Sequence, residues 1–180
     1  MKIGFFDTET TDLLKHTSAK LELQPRIIEL GLLVVESETG EVMQEYDQLI
    51  NPAMGIPANI TKITGITTKD VIGAPYIEDE WPEFKRSVEN CDMLVAHNMP
   101  FDKGVTEIEM RRRKLALDWP EHMICTVAIN EPIYGYRIKL KDLYKEITGN
   151  DFDQKHRALD DCAHLAELFF EGDFLEALQV

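Results

Sequence analysis

The sequence predicts an α/β fold with a mixed five-stranded sheet, in which an antiparallel meander is extended by parallel strands and flanked by helices. Three observations lead to this prediction. Strand-like runs fill the first 50 residues, and a Thr39-Gly40 turn separates the second run from the third. Beyond Pro52, segments with helical periodicity alternate with short apolar runs. A meander followed by helix–strand units favours a mixed sheet with helices packed on its faces.

The N-terminal part supplies three predicted strands. Ile3–Phe6 is apolar on both faces, as a buried strand requires, and Arg26–Val35 is a second strand of the same kind. Val42–Ile50 follows the turn as the third strand. Between the first two strands, Thr11–Pro25 is polar and lacks clean periodicity. We expect it to form a surface loop.

The C-terminal part supplies the helices and two further strands. The helices are predicted from apolar residues at spacings of three and four, and Gly65 and Gly149 stop two of them. The short apolar runs 93–96 and 123–127 are predicted as the fourth and fifth strands. The predicted helices cover residues 56–66, 77–88, 100–114, 140–147 and 158–170.

Length and composition indicate a globular protein. The 180 residues fit one domain spanning 1–180, and 44% hydrophobic with 29% charged residues is a folded balance. No apolar run is long enough to cross a bilayer, and the N-terminus lacks a signal-peptide pattern, so we expect a cytoplasmic protein without a membrane partner. Three widely spaced cysteines in apolar contexts are expected to be buried free thiols. They are Cys91, Cys125 and Cys162.

Two acids follow the first strand at a spacing of two. Side chains at i and i+2 of a strand share one face, so Asp7 and Glu9 are expected to project together. A pair of carboxylates suits a hard cation. A strand end that passes into a solvated turn would give the same pattern, so the pair needs other residues to complete a site.

A third acid stands where the fourth strand passes into a helix. Asp102 falls in the first turn of that helix, after His97-Asn98-Met99-Pro100-Phe101. An acid in a first turn also complements the helix dipole, and Asn98 is a residue type that caps helices. Both explanations stay open at this point.

A fourth acid is chosen by helical periodicity. Asp161 shares a helix face with Ala158 and Leu165, whereas its neighbour Asp160 lies on a polar row. A carboxylate on an apolar face is costly unless it is paired or binds a metal. We therefore predict Asp161 as functional and Asp160 as solvent-exposed. His156, just before this helix, is suited to moving protons near neutral pH.

These motifs resemble those of the DEDD-type 3′–5′ exonucleases with an RNase H-like fold, in the histidine-containing DEDDh branch. The first motif is Phe6-Asp7-Thr8-Glu9-Thr10-Thr11, the second joins His97-Asn98 to Phe101-Asp102, and the third is His156-x-Ala158-x-x-Asp161. The segment from Ile63 to Thr67 is similar to one found in proofreading-type members. The likeness is greatest to the epsilon-type proofreading exonucleases of bacterial DNA polymerase III.

The resemblance implies a chemistry for each residue. Asp7, Glu9, Asp102 and Asp161 would hold two divalent cations, Mg²⁺ or Mn²⁺, and His156 would deprotonate the attacking water. The product would be a nucleoside 5′-monophosphate from the 3′ end of DNA, in proofreading or DNA processing. The residues implied for the terminal-nucleotide pocket are Thr8, Thr10, Thr11, Ile63, Thr64, His97, Asn98 and Phe101.

The net charge of −14 opposes a polyanionic partner unless metals offset the acids of the site. We expect a brief contact with a single-stranded or frayed 3′ end, DNA being favoured, and a polymerase or replication protein as a further partner. Arg111–Lys114 is interpreted as a solvated helix end. Five other basic residues are expected to contact phosphate: Arg137, Lys139, Lys141, Lys155 and Arg157.

Two alternatives stay open. An exoribonuclease of the same branch, resembling RNase T or oligoribonuclease, would carry the same motifs. A nuclease-fold module without catalysis would act only in binding, although all five reactive residues are present. One departure from the family concerns Asp12, which stands where members often carry glycine and begins a longer loop to Pro25. The oligomeric state is not indicated by the sequence.

Overall fold

A computed structural model describes residues 1–178. The order of its five strands across the sheet is β3-β2-β1-β4-β5. β1 pairs antiparallel with β2 and β2 with β3, while β4 and β5 run parallel to β1. The predicted mixed sheet is therefore confirmed. The strands are β1 Lys2–Thr10, β2 Ile27–Glu36, β3 Val42–Leu49, β4 Met93–Ala96 and β5 His122–Cys125.

Eight helices are described in this part of the chain, and several predicted helices are found within a few residues of their expected limits. The first four are α1 Ala58–Thr64, α2 Thr68–Val71, α3 Ile77–Glu89 and α4 Met99–Arg113. The others are α5 Thr126–Tyr134, α6 Leu140–Thr148, α7 Ala158–Glu171 and α8 Phe174–Leu178. None of them is long and apolar enough to traverse a lipid bilayer.

Helices cover both faces of the sheet because its central strands are apolar on both sides. One face packs Phe6 and Leu32 against α3 and α4, where Trp81 and Phe84 are buried. The other face packs Ile3 and the ring of Phe5 against α6 and α7. Alternation along β1 therefore places Asp7 and Glu9, which continue the row of Ile3 and Phe5, on the α7 side.

Helix α4 ends at Arg113, within the predicted end Arg111–Lys114, because Lys114 adopts a left-handed conformation with φ of 55° and closes the helix. The predicted end of the fifth strand is wrong. The fifth strand ends at Cys125, and Val127 already lies in α5, which the sequence analysis did not predict. Helices α2 and α8 were not predicted either. The expected burial holds for Cys91 and Cys162, whereas Cys125 is only half-buried.

The interpretation of Arg111–Lys114 as a solvated end is wrong for Arg112. Its side chain is only 10% exposed, is paired with the buried Glu109, and donates to the backbone oxygens of the 11–25 loop. The acceptors are Leu21 O at 2.8 Å, Gln24 O at 3.2 Å and Pro25 O at 3.2 Å. The loop, which contains a short 3-10 turn at Leu21–Leu23, is thereby fastened to α4.

Arg112→Ala is expected to lower the free energy of unfolding by about 3 kcal/mol, because it leaves Glu109 buried without its partner and three carbonyl oxygens without a donor. Urea unfolding measures this change, and limited proteolysis within residues 12–25 should become faster. Arg111→Ala is the matched control, since Arg111 is exposed on the same helix and its loss should cost at most about 0.5 kcal/mol. Equal effects of the two substitutions would contradict the anchoring role.

Candidate functional site

A cavity of about 510 Å³ is lined by the acidic residues of all three motifs. It lies at the edge of the sheet where β1 and the parallel strand β4 both end, so residues after β4 meet residues of β1. Helix α7 closes the third side, against β1 and β2. The predicted residues that line it are Asp7, Thr8, Glu9, His97, Asn98, Phe101, Asp102, His156 and Asp161.

Asp161 is placed as helical periodicity predicted. It is 4% exposed, whereas Asp160 faces solvent. Its Oδ2 accepts a hydrogen bond of 2.9 Å from Gln154 Nε2, and its buried Oδ1 has no hydrogen-bond partner. Burial raises the pKa of this carboxyl, and the Gln154 bond partly opposes the rise. A buried acceptor without a partner is a position that a bound cation can satisfy.

His156 lies beside the acids. One atom each of Glu9, His156 and Asp161 lie within 4.8 Å of one another, the spacing of a group that can hold a metal ion. The backbone of His156 has φ of 51°, a left-handed conformation that is unfavourable for a residue other than glycine. Such a conformation persists where the surroundings fix it.

Asp102 is held by the first motif. It is 3% exposed, and its Oδ1 accepts bonds from the Thr8 amide at 3.1 Å and the Thr8 hydroxyl at 2.8 Å. These bonds tie the start of α4 to β1. Asn98 is the N-cap residue of α4, but its side chain makes no capping bond. Its side-chain oxygen instead accepts a hydrogen bond of 2.7 Å from the Arg137 guanidinium.

Burial raises the pKa of three carboxylates of the site, and neighbouring acids add to the rise for Asp7 and Glu9. Burial, and then the charge of Asp102, hold the pKa of Asp7 well above its usual range. Burial, and then Asp161, raise the pKa of Glu9 to about 9. Burial raises the pKa of Asp102 to about 7, although the Thr8 bonds act against it. Crowded acids of this kind favour either protons or bound cations.

His97 lies in the cavity wall and is hydrogen-bonded to Thr126 and Ile138. One ring nitrogen, Nε2, lies 3.0 Å from Ile138 O and thus donates to it, so Nδ1 accepts from the Thr126 hydroxyl at 2.8 Å. Burial lowers the pKa of His97 to about 4, so the ring is neutral at pH 7. His156 also lines this cavity, and within residues 1–178 its ring makes no such hydrogen bond.

A second cavity of about 370 Å³ adjoins the first and shares Thr8, Glu9, Leu13 and Phe101 with it. Thr10, Ile63 and Thr64 line it, and Ile63 is 52% exposed. Thr11 lines neither cavity. Its hydroxyl instead accepts the Arg26 amide at 2.9 Å, at the base of the loop.

Residues that sequence reasoning missed complete the site. Gln154, Leu13 and Leu140 line the first cavity, and Asn59 and Ile60 line the second. Arg157, expected to contact phosphate, has its guanidinium paired with the buried Glu29 of β2, and its contact with phosphate stays a prediction. Lys139, also expected to contact phosphate, does line the first cavity. A charged residue inside the apolar run of β2 was the signal for Glu29.

Metal-free protein is expected to lose stability as pH rises. The folded-state pKa of Asp102, about 7, lies above its unfolded value of 3.8, so its contribution is complete below pH 3.8 and is lost as pH rises through about 7. In EDTA, the thermal midpoint of Asp102→Asn should fall less between pH 5 and 8 than that of the unaltered chain. One pKa unit corresponds to about 1.4 kcal/mol, and about 1 kcal/mol moves the midpoint of such a domain by about 2–4 °C.

The control for this measurement is Asp118→Asn, which removes an exposed charge and should leave the pH slope unchanged. A slope unchanged by Asp102→Asn would contradict the assignment. Mg²⁺ should raise the midpoint of the unaltered chain more at pH 8 than at pH 5, because deprotonated carboxylates bind it.

Comparison with known proteins also indicates an exonuclease. The family model described as exonuclease matches residues 5–169. DNA polymerase III of the PolC type from Thermotoga petrophila is 31% identical over 175 residues, which are 97% of this chain and 12% of that protein. DNA polymerase III subunit epsilon from Aquifex aeolicus is 28% identical over 145 residues, which are 79% of this chain and 70% of that protein. The chain thus spans about an eighth of the PolC-type relative.

Two solved structures share the fold. Exonuclease X, solved with 5′ overhanging duplex DNA, superposes with a TM-score of 0.69 at 25% identity, over 97% of this chain and 92% of that one. The nuclease domain of 3′hExo, a DEDDh member bound to rAMP, superposes with a TM-score of 0.74 at 18% identity, over 94% and 90%. The chain belongs to the exonuclease family and has the RNase H-like fold found in DEDDh exonuclease structures.

Proposed function

We propose that this chain, as one exonuclease domain over residues 1–180, is a metal-dependent 3′–5′ exonuclease that releases nucleoside 5′-monophosphates from DNA. The observation that carries the proposal is the meeting of four carboxylates and one histidine from three motifs in a single cavity. In addition, Glu9, His156 and Asp161 approach within 4.8 Å. An inactive binding module would not require all five.

The donor set fits two divalent cations. Asp7, Glu9, Asp102 and Asp161 offer only oxygen ligands, which suit Mg²⁺ and Mn²⁺. The unpartnered Oδ1 of Asp161 is a buried acceptor that such an ion would satisfy. When bound, the ions would supply Lewis-acid stabilisation of the attacking and leaving oxygens of a phosphodiester. Asp7 and Asp102 would help to hold these ions, while Glu9 and Asp161 lie beside His156.

His156 would act as the general base. Its ring lies within 4.8 Å of both Glu9 and Asp161, so a water at this cluster would be within reach of a ring nitrogen. The nearby carboxylates would stabilise the imidazolium that forms when the ring takes the proton from that water. His97, with both ring nitrogens occupied, would serve in the cavity wall.

The two adjoining cavities would hold the terminal nucleotide and its neighbour. Their volumes of about 510 and 370 Å³ lie in the range of small-molecule sites. Phe101 lies between them, and the exposed Ile63 offers an apolar surface to a base or sugar. Lys139 is the cation placed to contact phosphate, and Arg137 is positioned by Asn98. Because so few basic side chains are available, we expect the protein to contact only a short stretch of the nucleic-acid strand.

DNA is proposed as the substrate because relatives of this chain are DNA polymerase III proteins, and exonuclease X was solved with DNA. The same relatives support a cytoplasmic role beside a replicative polymerase. RNA is the second candidate, since a structural neighbour was solved as a 3′-exonuclease recognising a histone mRNA stem-loop. Either substrate would use the same acids.

Labelled DNA and RNA oligonucleotides of one sequence, with single-stranded, paired and mismatched 3′ ends, test the proposal. We expect faster degradation of DNA from single-stranded and mismatched ends, 5′-monophosphate products, activity with Mg²⁺ or Mn²⁺, and none with EDTA. Faster degradation of RNA would favour the second candidate. Binding of oligonucleotides without hydrolysis in either metal would indicate the inactive module.

A further inference from the structure

Glu29 is a buried carboxylate outside the four candidate metal ligands. Its exposed fraction is 0%, and it is the third residue of the apolar strand β2. Arg157 Nε donates to its two oxygens at 2.9 and 3.2 Å, and a second guanidinium nitrogen also bonds to it. The Ala158 amide donates to Glu29 Oε2 at 2.8 Å. All these donors belong to the start of α7.

Strand register places Glu29 directly beside the site. Glu29 pairs with Glu9 across the β1–β2 ladder, and Gly31 pairs with Asp7. A Cβ at Gly31 would lie 2.5 Å from the backbone carbon of Ala158. The first turn of α7 therefore rests on the strand, and only glycine permits this approach. Glu29 and Gly31 together form the seat of the helix.

The residues held by this seat lie between the two functional candidates of the third motif. Arg157 follows His156, and its carbonyl accepts the Asp161 amide at 2.9 Å. Arg157 is also the N-cap residue of α7, but its side chain makes no capping hydrogen bond. The free amide of Ala158 donates instead to Glu29 of strand β2. The left-handed backbone of His156 immediately precedes these contacts. The path of the chain from His156 to Asp161 is thus fixed by Glu29.

We propose that Glu29 is a positioning residue that, through Arg157 and Ala158, holds His156 and Asp161 opposite Glu9. Glu29 acts through these neighbours and does not touch the reacting atoms. The inference rests on the proposed function, in which Glu9, His156 and Asp161 bind a cation and activate water. Residues that orient metal ligands typically change metal affinity or activity by about 10–100-fold when substituted.

Glu29→Gln tests this role, because it keeps the size of the side chain and removes its charge. We expect kcat to fall about 10–100-fold with KM for the oligonucleotide changed less than about threefold, and Mn²⁺ affinity, measured by calorimetry without substrate, to fall about tenfold. Glu45→Gln is the matched control. Glu45 of β3 pairs with Leu33 of β2, faces the same side of the sheet as Glu29 and is exposed, so its loss should leave both values unchanged.

Fraction folded, followed by circular dichroism at the assay temperature, separates positioning from mere stability. If activity of Glu29→Gln tracks the fraction folded and cooling restores it fully, the proposal is overturned. Unchanged kcat and Mn²⁺ affinity in the folded variant would also overturn it. If Glu29→Gln does not fold, Arg157→Lys replaces it in the test. This substitution keeps the positive charge but loses the bidentate hydrogen bond to Glu29, and the same outcomes support or overturn the proposal. Failure of the proposed function is distinct: the unaltered chain would then neither hydrolyse DNA nor bind Mn²⁺.

Discussion

Asp161→Asn is expected to reduce kcat about a thousand-fold, whereas Asp160→Asn should retain most of the activity. The two residues are neighbours in sequence, yet Asp161 is buried against the cavity and Asp160 faces solvent. Loss of the Asp161 charge removes a ligand from the proposed cation site. Metal stabilisation of a transition state is worth several kcal/mol, and about 4 kcal/mol corresponds to about a thousand-fold in rate.

Single-turnover hydrolysis of a labelled DNA oligonucleotide in saturating Mg²⁺ measures this pair of variants. Each loses one negative charge from the same helix turn, so a general electrostatic effect would act on both alike. A larger loss for Asp160→Asn would refute the assignment by helix face. Neither variant is expected to unfold the protein, since Gln154 can donate to an asparagine oxygen at position 161.

His156→Ala is expected to slow turnover by about 10²–10⁴-fold, the usual contribution of a general base. Mn²⁺ affinity should fall much less, because the proposed ligands are the four carboxylates. Single-turnover kinetics, together with Mn²⁺ calorimetry, check both parts.

His122→Ala is the matched control for this measurement. His122 is exposed at the start of β5, at the opposite end of the strand from the site, so its removal should change neither quantity. If His156→Ala weakened Mn²⁺ binding as strongly as it slowed turnover, His156 would be a metal ligand and not the base.

The fold was predictable where local pattern and tertiary environment agree. Ile3–Phe6 and β2 are apolar on both faces, and the sheet buries both of their faces under helices. The pattern failed at Cys125-Thr126-Val127, where β-branched residues favour a strand but the chain turns into α5. Short segments of this kind are decided by packing that no local pattern records.

The candidate site was predictable where chemistry contradicts periodicity. Asp161 on an apolar helix face is such a contradiction, and the structure brings it beside Glu9 and His156. Glu29 is another, inside an apolar strand, but its partner Arg157 is 128 residues away in sequence. Long-range pairs of this kind, like Arg112 with the 11–25 loop, depend on the assembled fold. The sequence shows that a charge in an apolar strand needs a partner, but it does not show which residue supplies it.

The attachment of the 11–25 loop makes this segment an exchangeable module. Its two ends are joined at the base, where the Thr11 amide donates to Arg26 O at 2.9 Å and the Arg26 amide donates to the Thr11 hydroxyl at 2.9 Å. Arg112 holds the interior through backbone oxygens, which any sequence provides. We therefore expect that loops of other sequence can be grafted between residues 11 and 26 if they keep the packed Leu14 and the buried Gln24, while Asp7 and Glu9 keep their places on β1.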